Sequence, residues 1–172
     1  NARTLCKGCA FCGTYGLDAD DHDLLNTKGK LQRDVKLIMD EKGMKDLSGL
    51  YEVAVVTGCF NREDKALEHL LMLRDALGEL GFTGELKYLG SEITSDKALD
   101  TLAERVAPFS LYFTVDCFTR RDQMLRPNKA RMTLDQTRDA MRRAKERGLE
   151  TSMTYILGLD PIMQAFWQDR ME

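Results

Sequence analysis

Four short runs rich in β-branched and aromatic residues alternate with segments of helical periodicity, and this alternation limits the possible folds more than any other feature of the chain. The runs are YEVAVVTG (Tyr51 to Gly58), ELKYLGSEI (Glu85 to Ile93), SLYFTVDCF (Ser110 to Phe118) and ETSMTYILGLD (Glu150 to Asp160). Helix signals recur around them. Leu31, Val35, Ile38 and Met39 share one face of the segment Lys30 to Met44. Asn61 is placed to cap a helix reaching Leu80, ahead of Gly81, and Ser95 to cap one running through Val106. Thr133 and Gln136 form a capping-box pattern for a helix ending near Arg147, before Gly148. The segment Ile162 to Met171 also reads as helical. Alternation of this kind predicts an α/β fold with parallel strands and helical crossovers, either an open sheet or a barrel. In both, ligands collect at the carboxyl ends of the strands. Small or polar residues stand at those ends: Thr57-Gly58, Gly90-Ser91-Glu92, Asp116, Gly158 and Asp160.

A chain of 172 residues is long enough for one domain with a substantial core. A net charge of −3 gives no bulk attraction to nucleic acid or to an anionic membrane. The longest apolar runs, such as Leu70 to Leu73, are far shorter than a spanning helix. The first residues, Asn-Ala-Arg-Thr, lack the basic start and apolar run of a secretory leader. Five cysteines, three of them clustered, fit metal ligation in a reducing compartment better than a secreted disulfide framework, so a cytoplasmic location is expected.

The cluster lies in TLCKGCAFCGTYG (Thr4 to Gly16), where Cys6, Cys9 and Cys12 fall within seven residues. Structural zinc takes four ligands, usually as two separated pairs. Here a second pair is missing: Cys59 and Cys117 are isolated, and His22 sits in the acidic run DADDHD. Ferredoxin-type clusters recruit a fourth cysteine often followed by proline, and no Cys-Pro occurs. Three thiolates without a fourth suit a [4Fe–4S] cluster with one iron open to a cofactor or substrate. The competing reading is a non-enzymatic module that holds zinc or a ferredoxin-type cluster through these cysteines and a remote ligand such as Cys59.

CAFCGTYG, with an aromatic residue directly before the last cysteine, resembles the cluster loop of the radical S-adenosylmethionine (radical SAM) enzymes. The spacing here is two and two residues, where that family usually has three and two. The resemblance implies a partial (βα)6-type parallel barrel. It also implies that Cys6, Cys9 and Cys12 hold a [4Fe–4S] cluster whose open iron chelates S-adenosyl-L-methionine. One electron would then cleave that cofactor to a 5′-deoxyadenosyl radical, which abstracts hydrogen from a small, carboxylate-bearing substrate. An electron donor such as flavodoxin or ferredoxin is the expected partner.

VVTGCF lies where the family often has a Gly-Gly-Glu motif at the methionine amino group, which leaves Thr57 and Gly58 as matches and no glutamate. The stretch from Thr114 to Asp160 is similar to the fourth-to-fifth-strand region of the biotin synthase and thiazole-tyrosine-lyase branch. That likeness implies Asp116 at the cofactor ribose or amino group, Arg120 or Arg121 at its carboxylate, Ile156 and Gly158 along the adenine, and Asp160 ending the motif. Phe11 completes the expected cofactor contacts. Arg121 and Lys129 are further candidates for a substrate carboxylate. The likeness covers about residues 4 to 160, so the chain is expected to be a single core domain, incomplete at both ends.

Overall fold

The computed structural model describes Cys9, Phe11 and residues 27–57, 59–60, 62–125 and 127–160. Its elements in chain order are α1 (Lys28–Lys42), β1 (Glu52–Val55), α2 (Glu63–Gly78), β2 (Glu85–Gly90), α3 (Asp96–Arg105) and β3 (Phe109–Asp116). Two short helices follow, α4 (Arg121–Met124) and α5 (Pro127–Arg131), and then α6 (Leu134–Glu146) and β4 (Glu150–Tyr155). The four strands pair in parallel in the order β1-β2-β3-β4, which is also their order along the chain. The protein is therefore α/β with an all-parallel sheet. Among the described residues the sheet is open, with β1 and β4 at its edges.

The two faces of this sheet are chemically unlike. Val55, Leu86, Tyr88, Phe109, Leu111 and Phe113 occupy one face and join the helices in a single buried cluster. Leu70, Leu73 and Leu77 of α2, Leu99 and Leu102 of α3, and Ala140 and Ala144 of α6 supply the other half of that core. Residues of opposite parity carry Glu52, Ala54, Glu85, Lys87, Leu89, Tyr112 and Thr114, none of which belongs to the cluster. There Lys87 pairs with Glu52 on the neighbouring strand and lies 3.6 Å from Glu85. Parallel sheets normally bury both faces. This one places its described helices against one face and polar side chains on the other.

Helix ends follow local chemistry. The hydroxyls of Ser95 and Thr133 accept from the Ala98 and Gln136 backbone N–H groups at 3.2 and 3.1 Å, and the Thr133–Gln136 capping box is closed in both directions. Helix α1 starts at a Thr27 cap and stops at Gly43, whose φ of 64° closes the terminus, so it lies two residues ahead of its expected span. Asn61 lies outside the described residues, and the residue at the N-cap of α2 is Arg62, which makes no side-chain capping bond. The strands are shorter than their apolar runs. Strand β2 ends at Gly90, where a Cβ would fall 2.3 Å from the Tyr88 ring. Strand β4 ends at Tyr155, because Ile156 to Asp160 turns back with Gly158 at φ 90°. The segment 162–171 lies outside the described residues. No helix among the described residues is long and apolar enough to cross a membrane.

Candidate functional site

Parallel pairing puts every strand's carboxyl end on one edge, and the polar loops of this chain gather there. The end of β3 is its most unusual point. The Thr114–Asp116 step shifts register against β4, and Asp116 has a φ of 63°. A tight turn around it is closed by the Cys117 N–H donating to the Val115 carbonyl at 2.8 Å. A non-glycine residue in this left-handed region stores of order 1 kcal/mol of strain, and such strain concentrates at functional sites. The Asp116 backbone carbonyl is held by the Ile156 N–H at 2.9 Å, which ties the ends of β3 and β4 together.

The Asp116 carboxylate is buried, and one of its oxygens pairs with the Lys129 ammonium, itself buried. Its second oxygen accepts no hydrogen bond from the described residues. Lys129 sits on α5, thirteen residues away, and its ammonium has no second acceptor among the described residues. Arg121, at the start of α4, works differently. Its Nη1 donates to the Val115 and Cys117 carbonyls at 2.8 and 2.6 Å, and its Nη2 to the Lys129 and Met132 carbonyls at 3.3 and 3.2 Å. Those four contacts bind the loop between β3 and α6 into one piece. Arg120 extends its Nη2 to the Leu159 carbonyl at 3.1 Å. Cys117 is fully buried, and burial pushes its thiol pKa up although Arg121 pulls it down.

Asp160 fastens the turn after β4 to the loop after β3. Its carboxylate accepts from the Phe118 N–H at 2.9 Å, the Thr119 N–H at 2.6 Å and the Thr119 hydroxyl. Burial alone would raise its pKa. The donors of Phe118, Thr119 and Tyr155 outweigh that and hold it at about 2. A carboxylate depressed in the folded state adds stability that is present above its unfolded value of about 3.9 and is lost as pH falls toward 2. Acid titration of the parent and of Asp160→Asn should therefore diverge above pH 4, with the parent more stable by on the order of 1 kcal/mol. The gap should close between about pH 4 and pH 2. Parallel melting curves at all pH values would remove this assignment.

Above these polar ties lies exposed apolar surface. Phe118 stacks on Tyr155 with ring centroids 4.8 Å apart and 21° between planes. Ile156, Leu157 and Val56 are also exposed, the last two by 63% and 72%. A Cβ added at Gly158 would meet nothing within 4 Å, so space is open beside it. Thr57 is half-buried, and its hydroxyl is buried without a hydrogen-bond partner among the described residues. Burial, with Glu92 adding to it, drives the Tyr88 phenol well above the ordinary tyrosine range.

The structure thus brings Asp116, Arg121, Ile156, Gly158 and Asp160 together at the joined ends of β3 and β4. Thr57 stands at the end of β1, on the same edge of the sheet. Cys9 and Phe11 are half-buried. Cys6, Cys12 and Gly58 lie outside the described residues. Among the described residues no three His, Cys, Asp or Glu side chains converge as a metal site. Sequence reasoning missed the Lys129–Asp116 pair and the Phe118–Tyr155 stack. Neither has a local signature, because each joins residues on different elements. No protein-family model, curated protein or solved structure matches the chain.

Proposed function

We propose that the chain is the core of a radical SAM enzyme, with a [4Fe–4S] cluster on Cys6, Cys9 and Cys12 and S-adenosyl-L-methionine across the carboxyl ends of the strands. The observation that carries this reading is a three-thiol run placed ahead of consecutive parallel βα units. Chain-order strands with helices on one face also suit four successive units of a (βα)6-type barrel, whose interior face would be the polar one.

The residues at the strand ends fit such a cofactor in chemical kind. Exposed Phe118, Ile156 and Leu157 offer apolar surface to a nucleoside base. Open space at Gly158 admits close backbone approach. The unengaged oxygen of Asp116 is an acceptor for a ribose hydroxyl or an ammonium. Thr57, at the end of β1, and Phe11 are the further contacts this reading expects, together with Gly58, which lies outside the described residues. Arg121 and Asp160 support it by holding the loops in place, since the Arg121 Nη1 and Nη2 groups and the Asp160 carboxylate are engaged with Val115, Cys117, Lys129, Met132, Phe118 and Thr119. When bound and reduced, the cluster supplies the electron that cleaves the cofactor and so starts hydrogen abstraction from a small-molecule substrate. Flavodoxin or ferredoxin is the expected class of electron donor.

Anaerobic reconstitution with iron and sulfide, followed by addition of S-adenosyl-L-methionine and dithionite, tests this reading. A brown protein that forms 5′-deoxyadenosine is expected, and Cys9→Ser should reduce that product to background. A colourless protein that retains zinc and forms no 5′-deoxyadenosine would instead make the cysteines a metal-binding module.

A further inference from the structure

Lys129 also faces a second feature. A cavity of about 740 Å³ opens between the loops after β1 and β2 on one side and α5 with the start of α6 on the other. Its volume lies within the range of small-molecule sites. The wall carries both signs of charge, four carboxylates and three cations. Asp139 and Arg143 are bonded to each other at 2.8 Å, and Asp135 lies 3.0 Å from Arg138.

Three lining groups retain unused hydrogen-bonding capacity. The Arg131 guanidinium makes no hydrogen bond or ion pair with the described residues, and its side chain is exposed. Glu63, at the start of α2, uses one oxygen to accept from the Thr94 and Ser95 N–H groups at 2.6 and 2.7 Å. Those two bonds fix the carboxylate in place, and its other oxygen has no donor among the described residues. The Lys129 ammonium is the third, with a single acceptor in Asp116. Phe60 and Met132 add apolar wall.

We propose that this cavity binds a small zwitterion of the amino-acid class. Its carboxylate lies on the Arg131 guanidinium, whose planar fork matches that group. Its ammonium lies on the second oxygen of Glu63, and its side chain lies against Phe60 and Met132. A purely anionic ligand would face four carboxylates, and a purely cationic one three cations, whereas a zwitterion satisfies both walls without adding net charge. Proximity through Lys129 to Asp116 places the cavity next to the proposed cofactor shelf. Binding itself does not depend on cluster chemistry.

Calorimetric titration of the full chain in the absence of iron and S-adenosyl-L-methionine tests it. The probes are L-leucine, 4-methylpentanoate (which lacks the ammonium) and 3-methylbutylamine (which lacks the carboxylate). Leucine should saturate, and each analogue should bind at least about tenfold more weakly. Arg131→Gln removes an exposed side chain that has no partner among the described residues and should leave folding intact. It should weaken leucine and 4-methylpentanoate by about tenfold and leave 3-methylbutylamine unchanged. Glu63→Gln keeps the acceptor for Thr94 and Ser95 and should weaken leucine and 3-methylbutylamine instead. Three results would each overturn the proposal: no saturation at roughly 10 mM leucine, leucine binding no tighter than both analogues, or an unchanged leucine affinity in Arg131→Gln.

Discussion

Replacing Lys129 with methionine should lower stability by about 3–5 kcal/mol, the range found when one partner of a buried ion pair is removed. Lys129 and Asp116 are each only 6% exposed, so the carboxylate left behind would have little water and, among the described residues, no other cation. Asp116 cannot swing away to solvent. Its backbone sits in a strained turn pinned by the Cys117 N–H, and its carbonyl is held by Ile156. Methionine keeps the volume and the apolar stem of lysine, so lost packing contributes little. A double variant, Lys129→Met with Asp116→Asn, removes both charges and should recover at least half of the deficit, because asparagine also tolerates the left-handed backbone. Urea unfolding with an unchanged slope measures both. If the single variant lies within about 1 kcal/mol of the parent, the pair is not the buried, desolvated interaction described above.

Gly84→Ala should be at least as damaging, with a loss of about 3 kcal/mol or more, or failure to accumulate folded protein. An added Cβ would stand 2.3 Å from the Tyr51 carbonyl oxygen and 2.6 Å from that of Leu50, well inside contact distance. Neither side can yield cheaply. The Tyr51 oxygen accepts from the Glu85 N–H at 2.9 Å, the bond that opens the β1–β2 pairing, and the Gly84 carbonyl is held by Arg74 Nη1 at 2.9 Å. Arg74 also donates to Val106 and Pro108, so a shift at Gly84 would spread to the start of β3. Gly29 is the matched control. It lies in the first turn of α1 with nothing within 4 Å of its virtual Cβ, and alanine there should be neutral or stabilising by up to about 1 kcal/mol. Comparable unfolding midpoints for the two variants would show that the contact at Gly84 relaxes freely.

Local chemistry explains how much of the fold could be read from the chain. A capping hydroxyl three residues from its acceptor N–H, or a run of β-branched residues ending in glycine, acts within a few positions, so Ser95, Thr133 and the four strand runs marked their elements directly. Element ends were less legible where a distant contact decides them. Strand β4 stops at Tyr155 because Asp160 reaches back across the sheet to Phe118 and Thr119, and no residue between Ile156 and Asp160 announces that tie.

At the candidate site, the same division falls between residue type and partner. An acid ending a buried strand had to find a counter-charge or a donor, because an unpaired buried carboxylate is too costly. Asp116 could therefore be picked out from its position alone. That Lys129 is its partner, while Arg121 binds four backbone carbonyls, depends on how α4 and α5 pack after β3. Both residues are long cations on one loop, and sequence spacing cannot rank them. The sequence by itself determined the α/β alternation, the three clustered thiols and the polar strand ends, because each follows from short-range periodicity or composition. Only the tertiary structure decided the strand order, the packing of the described helices on one face and the pairing of charges, because these arise from which surfaces exclude water together once the chain has closed on itself.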